Sequence, residues 1–219
     1  GGGSNNDGTV PLYTSTISGN TVINGGGGVY NRDGSENAVG TTSLYHCTIT
    51  DNTADEGGGI QNYQSTGTAT VNLENTLVFG NHLVSETGTE DCKKSGGTLT
   101  SQDYNLTGTG TGCSLGGTHD LTTTDAKLLP LADNGGPTQT HALDTGSPAI
   151  DQIPDGANGC GSCYPADQRG VSRPQGDYCD IGAYEVELAT FADVPLDYWA
   201  YDYIEALYQS GITGGCDTN

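Results

Sequence analysis

Residues 49–62, ITDNTADEGGGIQN, contain two short motifs that recur in the first part of the chain. One motif is an aliphatic residue three positions before an asparagine, as in Ile49 and Asn52. The other is Gly-Gly-x-x-Asn, which begins at Gly58 and ends at Asn62. Glycine pairs permit tight bends that a Cβ atom would forbid, and β-prone residues between such bends favour short strands. The stretch therefore predicts short strands joined at sharp corners.

The two motifs alternate along the chain, which indicates a repeat architecture. Copies of the first motif occur at 17–20, 49–52 and 78–81. Copies of the second motif occur at 2–6, 27–31 and 58–62. A repeat of this length cannot bury its apolar side chains alone, so we expect the repeats to stack as turns of a solenoid. The alternative is an antiparallel sandwich in which the same residues form ordinary hairpin turns.

Stacked turns place equivalent residues above one another at a spacing of about 4.8 Å. We therefore predict an all-β fold, a right-handed parallel β-helix, with aliphatic columns inside and an asparagine ladder at a bend, where each side-chain amide bonds to its neighbours. The predicted first column is Ile17, Ile49 and Val78, the second is Val29 and Ile60, and the ladder is Asn20, Asn52 and Asn81.

The chain is strongly acidic, with 6 Lys+Arg against 27 Asp+Glu and a formal net charge of −21. Basic side chains are needed to displace the counterions of nucleic acid, and basic segments are what an anionic membrane surface attracts. We therefore expect no nucleic-acid partner. Since no apolar run reaches 18 residues, we also expect no membrane insertion.

Residues 1–81 resemble the repeats of polymorphic outer-membrane proteins, which carry Gly-Gly-Ile-x-x-Asn-like and Phe-x-x-Asn-like elements. Here an aliphatic residue stands at the Phe position. Residues 92–185 resemble the C-terminal part of the choice-of-anchor Q family of secreted bacterial β-helix proteins. Its ordered motifs are LLPLADNGGPTQTHAL at 128–143, GSPAID at 146–151, DQRGV at 167–171 and CDIGAYE at 179–185. This resemblance implies a surface protein whose anchoring module varies and which has no enzymatic activity.

The last segment, from Phe191 to Gly214, resembles the first half of an S-layer homology module. Such modules bind secondary cell-wall polysaccharide, but the contacting motif belongs to the second half, so no binding residue is carried over. We expect a short α-helix with Asp197 as its N-cap and Gly211 as the residue that ends it. The apolar side of this helix is expected to comprise Trp199, Ala200, Tyr203, Ile204, Leu207 and Tyr208.

We accordingly divide the chain into a parallel β-helix at 1–130, an irregular disulfide-bonded cap at 131–187 and a partial S-layer homology module at 188–219. The cysteines fit structural disulfides better than zinc or redox chemistry, because the single C-x-x-C has neither a second pair nor a βαβ context. Disulfides imply an oxidising, extracytoplasmic compartment.

The segments that resemble the choice-of-anchor Q family bracket the expected disulfides. These are Cys92–Cys113 and a second bond within Cys160, Cys163 and Cys179, with Cys163–Cys179 favoured. Two further cysteines remain: we expect Cys47 to be a buried free thiol, and the partner of Cys216 to lie after residue 219 or on another molecule.

Candidate catalytic groups are few. An inverting glycoside hydrolase needs a pair of carboxylates, which could come from Asp51, Asp55 and Glu56. We favour the interpretation that these acids lie on a solvated loop. His46 and His82 flank repeat motifs and share no ligand spacing with the other histidines. We expect no cofactor; calcium at residues 151–159 is the alternative, since oxygen ligands and glycines occur there without EF-hand spacing.

Two arginines near the end of the cap, Arg169 and Arg173, have acidic neighbours in sequence. In so acidic a chain an internal arginine is expected to pair with carboxylates. We predict structural clamps with Asp167, Asp177 and Asp180 as the available partners.

The sequence thus predicts an extracellular structural cell-surface protein, not an enzyme, that is wall-anchored or polymerises into a filament or surface layer. The alternative is a carbohydrate-active enzyme or carbohydrate-binding module on the same scaffold. The expected partners are cell-wall polysaccharide, through a complete anchor module, and copies of the chain itself. Residue 1 falls within a repeat motif and the chain has no methionine. We therefore expect either earlier turns in a precursor or a head-to-tail neighbour that covers the first strand edges.

Overall fold

The computed structural model describes residues 8–34, 36–84, 88–191, 193–194 and 198–214. The chain forms two compact units, Gly1–Val186 and Glu187–Asn219. The described residues contain sixteen strands and one α-helix: β1 Thr9–Tyr13, β2 Thr16–Ser18, β3 Val29–Arg32, β4 Val39–Tyr45, β5 Thr48–Thr50, β6 Thr53–Ala54, β7 Ile60–Tyr63, β8 Thr68–Glu74, β9 Leu77–Phe79, β10 His82–Leu83, β11 Cys92–Ser95, β12 Thr98–Ser101, β13 Leu106–Gly108, β14 Leu121–Thr123, β15 Ile153–Pro154, β16 Tyr178–Cys179 and α1 Tyr201–Gln209.

Three parallel sheets build the first unit as far as β14. Their strand orders are β1-β4-β8-β12, β3-β7-β11 and β2-β5-β9-β13-β14, so each strand pairs with its equivalent one turn away. The chain therefore winds as a parallel β-solenoid of about three turns, which confirms the predicted fold class. A short parallel pair, β6–β10, lies at one corner, and β15–β16 is an antiparallel pair in the cap.

The predicted aliphatic columns are present. Ile17 pairs with Ile49, and Ile49 pairs with Val78, in exact register along one sheet. Ile49 and Val78 are fully buried in the solenoid core, and Ile17 packs against them at the first described turn. The second predicted column, Val29 over Ile60, is also in register.

The predicted asparagine ladder is confirmed as well. The Asn20 side-chain amide donates to Asn52 Oδ1 at 2.9 Å, and the Asn52 amide donates to Asn81 Oδ1 at 3.0 Å. Each of these oxygens also accepts the backbone N–H of the preceding ladder residue. The ladder ends on an acid, because Asn81 donates to Asp91 Oδ1 at 2.9 Å. Buried amides at this corner are thereby paired through side chains, as burial requires.

Two further ladders occupy other corners of the solenoid. In one, the Asn31 amide donates to Asn62 Oδ1 at 2.8 Å. The other changes residue type from turn to turn. There the backbone N–H of Cys47 donates to the Thr76 side chain, that of Thr76 donates to Asn105, and that of Asn105 donates to Asp120.

The cap, from about residue 124 to 186, lies against the outer face of the β2-β5-β9-β13-β14 sheet. Outward residues Leu77 and Leu106 of this sheet share a second buried cluster with Ala149, Ile153 and Ile181. The approach is close at Gly182, where φ is +106° and a Cβ atom would lie 2.8 Å from Thr48 Oγ1. Only glycine suits such a position.

The second unit contains α1, which the sequence predicts. Gly211 has φ of +69° and ends the helix as expected. Its N–H donates to the Tyr208 carbonyl, and the Ile212 N–H donates to the Leu207 carbonyl, which is a Schellman motif. The proposed N-cap, Asp197, lies outside the described residues. In the described part of the chain no helix has the length and apolar character needed to cross a membrane.

Candidate functional site

Two disulfides are present among the described residues, one between Cys92 of β11 and Cys113 and one in the cap. Cys92–Cys113 forms as predicted. The second bond joins Cys160 to Cys179, so the favoured pairing of Cys163 with Cys179 is wrong. Cys160 and Cys179 are both buried in the cap core, whereas Cys163 lies in a tight turn closed by the Tyr164 N–H and the Gly159 carbonyl, and its thiol is exposed.

The predicted free thiol of Cys47 is confirmed as buried. Its Sγ lies 3.5 Å from the Leu12 carbonyl oxygen, to which it donates. Burial raises the pKa of Cys47 to about 11, so the thiol stays protonated at neutral pH. Cys216 lies outside the described residues.

Arg173 joins the cap to the solenoid. Its side chain is buried, and its guanidinium donates to the carbonyls of Asp180 at 2.8 Å and Gly182 at 2.7 Å. It also lies 3.3 Å from Glu185 Oε2 and 2.6 Å from His46 Nδ1. His46 belongs to the solenoid, 127 residues earlier, at a corner where its φ is +49°.

The contact between Arg173 and His46 fixes the protonation of the imidazole. Arginine has only donors, so His46 Nδ1 accepts and cannot carry a proton. Burial and the Arg173 charge both hold the pKa of His46 well below its usual value. A neutral histidine is therefore a structural acceptor at the centre of this contact.

Arg169 forms a second clamp inside the cap. Its guanidinium lies 2.8 Å from Asp167 Oδ2, stacks over the Tyr184 ring with Cζ 3.7 Å from the ring centroid, and donates to the Glu185 carbonyl. Both predicted arginines thus form clamps, but Asp180 accepts from Arg173 through its backbone carbonyl and not through its carboxylate. Glu185 is a partner that the sequence did not reveal, and the described residues show no ion pair of Asp177.

The clamp contains more acids than bases. Asp167, Asp180 and Glu185 stand against Arg169 and Arg173 in a buried setting. Burial raises the pKa of Glu185 to about 7, although Arg173 opposes the shift. Burial likewise raises the pKa of Asp180 to about 6, against backbone N–H groups that stabilise its ionised form.

Tyrosines form a stack where the cap meets a corner of the solenoid. Tyr13 and Tyr45 are in register on neighbouring turns, with ring centroids 4.9 Å apart. Tyr164 of the cap lies 5.9 Å from Tyr45 and touches His46 edge-on at 5.0 Å. The sequence places these tyrosines far apart, and only the stacking of turns shows that they are neighbours.

A groove follows the outer face of the β2-β5-β9-β13-β14 sheet beside the cap; we call it the Phe79 groove. It consists of two adjoining cavities that share Phe79 and Gly80 as walls. The first is about 280 Å³ and is lined by Asp51, Asp125 and His141 among others. The second is about 220 Å³ and is lined by Asp91 and several threonines.

The acids considered for hydrolysis do not converge. Asp51 lines the Phe79 groove, whereas Asp55 and Glu56 line neither of its cavities. Glu56 instead accepts a hydrogen bond from Gln61 at 2.8 Å. His82 is exposed in β10 and does not join His46 in a site.

The segment at 151–159 makes structural contacts with the solenoid. The Asn158 carbonyl accepts from Asn75 at 2.9 Å, and the Asn158 amide donates to the Gln102 carbonyl at 2.6 Å. Within the described ranges no group of three or more His, Cys, Asp and Glu side chains is placed to hold a metal ion.

Comparison with known proteins gives no match to any family model, curated protein or solved structure. The fold itself defines the class: a disulfide-bonded parallel β-solenoid with a capping region.

Proposed function

We propose that this chain is an extracellular structural protein of a bacterial cell surface, without catalytic activity. The observation that carries the proposal is that the buried polar groups serve structural contacts. They form ladders along three corners and a charged clamp that fastens the cap to the solenoid. Hydrogen-bonded networks of buried polar groups rigidify a scaffold.

The two disulfides support the extracellular part of the proposal, since such bonds persist in oxidising compartments. In this proposal the second unit belongs to an anchor for cell-wall polysaccharide. Copies of the chain associate head to tail, because parallel strands at the ends of a solenoid offer unpaired backbone groups. A heterologous contact of this kind builds filaments when it does not close.

Fractionation of cells that produce the protein tests the location. The proposal expects the chain in the wall fraction or on surface filaments, labelled by a membrane-impermeant amine reagent on intact cells, with both disulfides oxidised. Recovery in the cytoplasmic fraction with reduced cysteines contradicts it.

Negative-stain microscopy and light scattering of the native material test the assembly. Filaments or a surface layer support the polymerising form, and monomers that release only on wall digestion support the anchored form. Monomers free in the medium contradict both.

A further inference from the structure

A serine and a histidine meet where the cap lies against the first described turn of the solenoid. Ser18 is the last residue of β2, and its Oγ lies 2.8 Å from Nε2 of His141, which belongs to the cap 123 residues later. Ser18 is half-buried, whereas His141 is only 3% exposed. A hydroxyl bonded directly to an imidazole nitrogen is the arrangement by which proteins activate serine as a nucleophile.

A backbone carbonyl fixes the tautomer of this histidine. His141 Nδ1 lies 2.8 Å from the Leu129 carbonyl oxygen. That oxygen can only accept, so Nδ1 carries the proton, and Nε2 of the neutral imidazole accepts from the Ser18 hydroxyl. Leu129 and His141 lie on facing sides of one antiparallel arm, where the Leu129 N–H donates to the Ala142 carbonyl. A nucleophile, a base and an acceptor that orients the base are thus connected, which is the logic of a catalytic triad.

The Ser18–His141 pair lies beside the first cavity of the Phe79 groove. His141 lines this cavity, and so does Thr50, with which Ser18 is paired in register. The cavity also has an apolar wall, made by Phe79, Leu128, Leu129 and Pro130. Its volume of about 280 Å³ is below the roughly 300–1,000 Å³ of sites for drug-sized ligands. A short hydrocarbon chain attached at Ser18 therefore fits this wall in size and in polarity.

We propose that Ser18 is a modification site that takes a short acyl group from an activated ester, such as a thioester or an aryl ester, with His141 as general base. The Ser18 oxygen attacks the acyl carbonyl carbon, and its proton passes to His141 Nε2. The new C–O bond replaces the bond to the leaving group, which departs as a thiolate or a phenolate. The imidazolium then gives its proton to that anion or to solvent, so the reaction needs no oxidant and no further reactant.

The burial of His141 limits the reaction to one acyl group per chain. The leaving group departs as an anion and needs no contact with the imidazole. A hydrolytic water, in contrast, must be deprotonated at Nε2, which lies behind the acylated Ser18 in a side chain that is 3% exposed. The acyl-serine is therefore stable, and this single modification is independent of the structural role proposed above.

Reaction of the purified chain with p-nitrophenyl acetate and p-nitrophenyl butyrate tests the proposal. The expected result is a fast burst of one p-nitrophenolate per chain, followed by little further release. Peptide mass mapping is expected to place the acyl group on Ser18, as an ester that hydroxylamine removes. Acylated lysines are amides that hydroxylamine leaves in place, so the two products are distinguishable.

Three substitutions assign the roles. Ser18→Ala is expected to lose the burst and the acylated peptide, whereas Ser18→Thr, which keeps a hydroxyl, retains both. His141→Gln removes the base and is expected to slow acylation about 100-fold or more. Native circular dichroism and the two intact disulfides show that each variant is folded.

Ser15→Ala is the matched control for Ser18→Ala. Ser15 is also half-buried on the first described turn, but its hydroxyl donates to the Tyr13 carbonyl and not to a histidine. This variant is expected to react like the parent chain. The proposal is overturned if no ester forms at Ser18, if the burst persists in Ser18→Ala, if His141→Gln reacts at the parent rate, or if Ser15→Ala loses the burst equally. Continued release at the burst rate with Ser18 unmodified also overturns it, because that result shows turnover in place of a stable modification.

Discussion

The solenoid and the cap solve the same problem of burying polar groups in different ways. In the solenoid the buried groups are mainly amides and hydroxyls, and each bonds to its equivalent about one turn away, 32 residues for Asn20 with Asn52 and 31 for Asn31 with Asn62. In the cap they are charged, and the central contact joins His46 to Arg173 across 127 residues.

This difference determines how many hydrogen-bond partners are affected when one residue is lost. A ladder residue bonds to its neighbours on the adjacent turns, so the loss of one member leaves unpaired only the groups next to it, such as the donors of Asn20 when Asn52 is lost. Arg173 is shared by His46, Glu185 and two backbone carbonyls, so its loss leaves several buried groups without a partner. We therefore expect the cap to be the more sensitive region to single substitutions.

Arg173→Met is expected to cause the largest loss. Removing one partner of a buried ion pair leaves an uncompensated charge and costs about 3–5 kcal/mol. Urea denaturation gives the free energy of unfolding. Arg32→Met in β3 is the control, since Arg32 donates to the Asp33 carbonyl at the solenoid surface, and it should cost under about 0.5 kcal/mol. Equal stability of the two variants would show that the clamp does not hold the cap.

Ile49→Ala is expected to cost roughly 2–5 kcal/mol, because it leaves a cavity in the middle of the aliphatic column. Ile17→Ala, in the same column but half-buried, should cost less. The same denaturation experiment measures both. If Ile17→Ala is as costly as Ile49→Ala, the two sites are equally buried in solution and the column extends beyond the turns described.

Asn52→Leu is expected to cost about 1–3 kcal/mol, since it leaves the donors of Asn20 without their acceptor. Asn20→Leu, at the first described ladder position, should cost less because its amide serves fewer partners. Hydrogen exchange of the backbone amides at positions 20 and 52 localises the effect. Fast exchange confined to this corner agrees with a ladder, whereas global loss of protection contradicts local pairing.

The periodic features were predictable because a repeat leaves the same residue type at each turn. For that reason the sequence predicted the aliphatic column of Ile17, Ile49 and Val78 and the ladder of Asn20, Asn52 and Asn81. The ladder of Cys47, Thr76, Asn105 and Asp120 was not predictable, since its four members are of four residue types.

Features that depend on long-range contacts were harder still. The sequence singled out Arg173 as a clamp, but it did not give His46 or Glu185 as partners. It also placed the second disulfide on the wrong member of the Cys160 and Cys163 pair, because spacing alone does not tell which side of a turn is buried.

The clamp predicts a dependence of stability on pH. The folded-state pKa values of Asp180, about 6, and Glu185, about 7, are raised above the usual values near 4 for these groups. Between these values the folded chain retains protons that the unfolded chain has released, so stability falls as pH rises from about 4 to about 7. The lowered pKa of His46 acts in the opposite sense below about pH 6.5, because the unfolded chain then binds a proton that the buried imidazole does not, and it reduces this fall. Below pH 4 the lowered pKa of Asp33 acts in the same sense as His46, and its stabilisation is lost on acidification.

We therefore expect the free energy of unfolding to be about 1–2 kcal/mol higher at pH 5 than at pH 8. Glu185→Gln should flatten this difference, while Asp177→Asn, whose carboxylate is outside the clamp, should leave it unchanged. Urea denaturation at both pH values measures it. An unchanged dependence in Glu185→Gln would mean that Glu185 is ionised throughout.

The smallest effect is expected for Cys163→Ser. Cys163 is an exposed thiol and Cys160–Cys179 closes the cap, so the substitution should change the free energy of unfolding by under about 0.5 kcal/mol. Cys160→Ser, in contrast, should lose about 3 kcal/mol with the disulfide. Non-reducing peptide mapping should recover Cys160 linked to Cys179 in both the parent and Cys163→Ser. If Cys163→Ser is the costly variant and Cys160 is alkylated in the parent, the pairing suggested by the sequence is the one that forms, and the cap is closed on the opposite side of its turn.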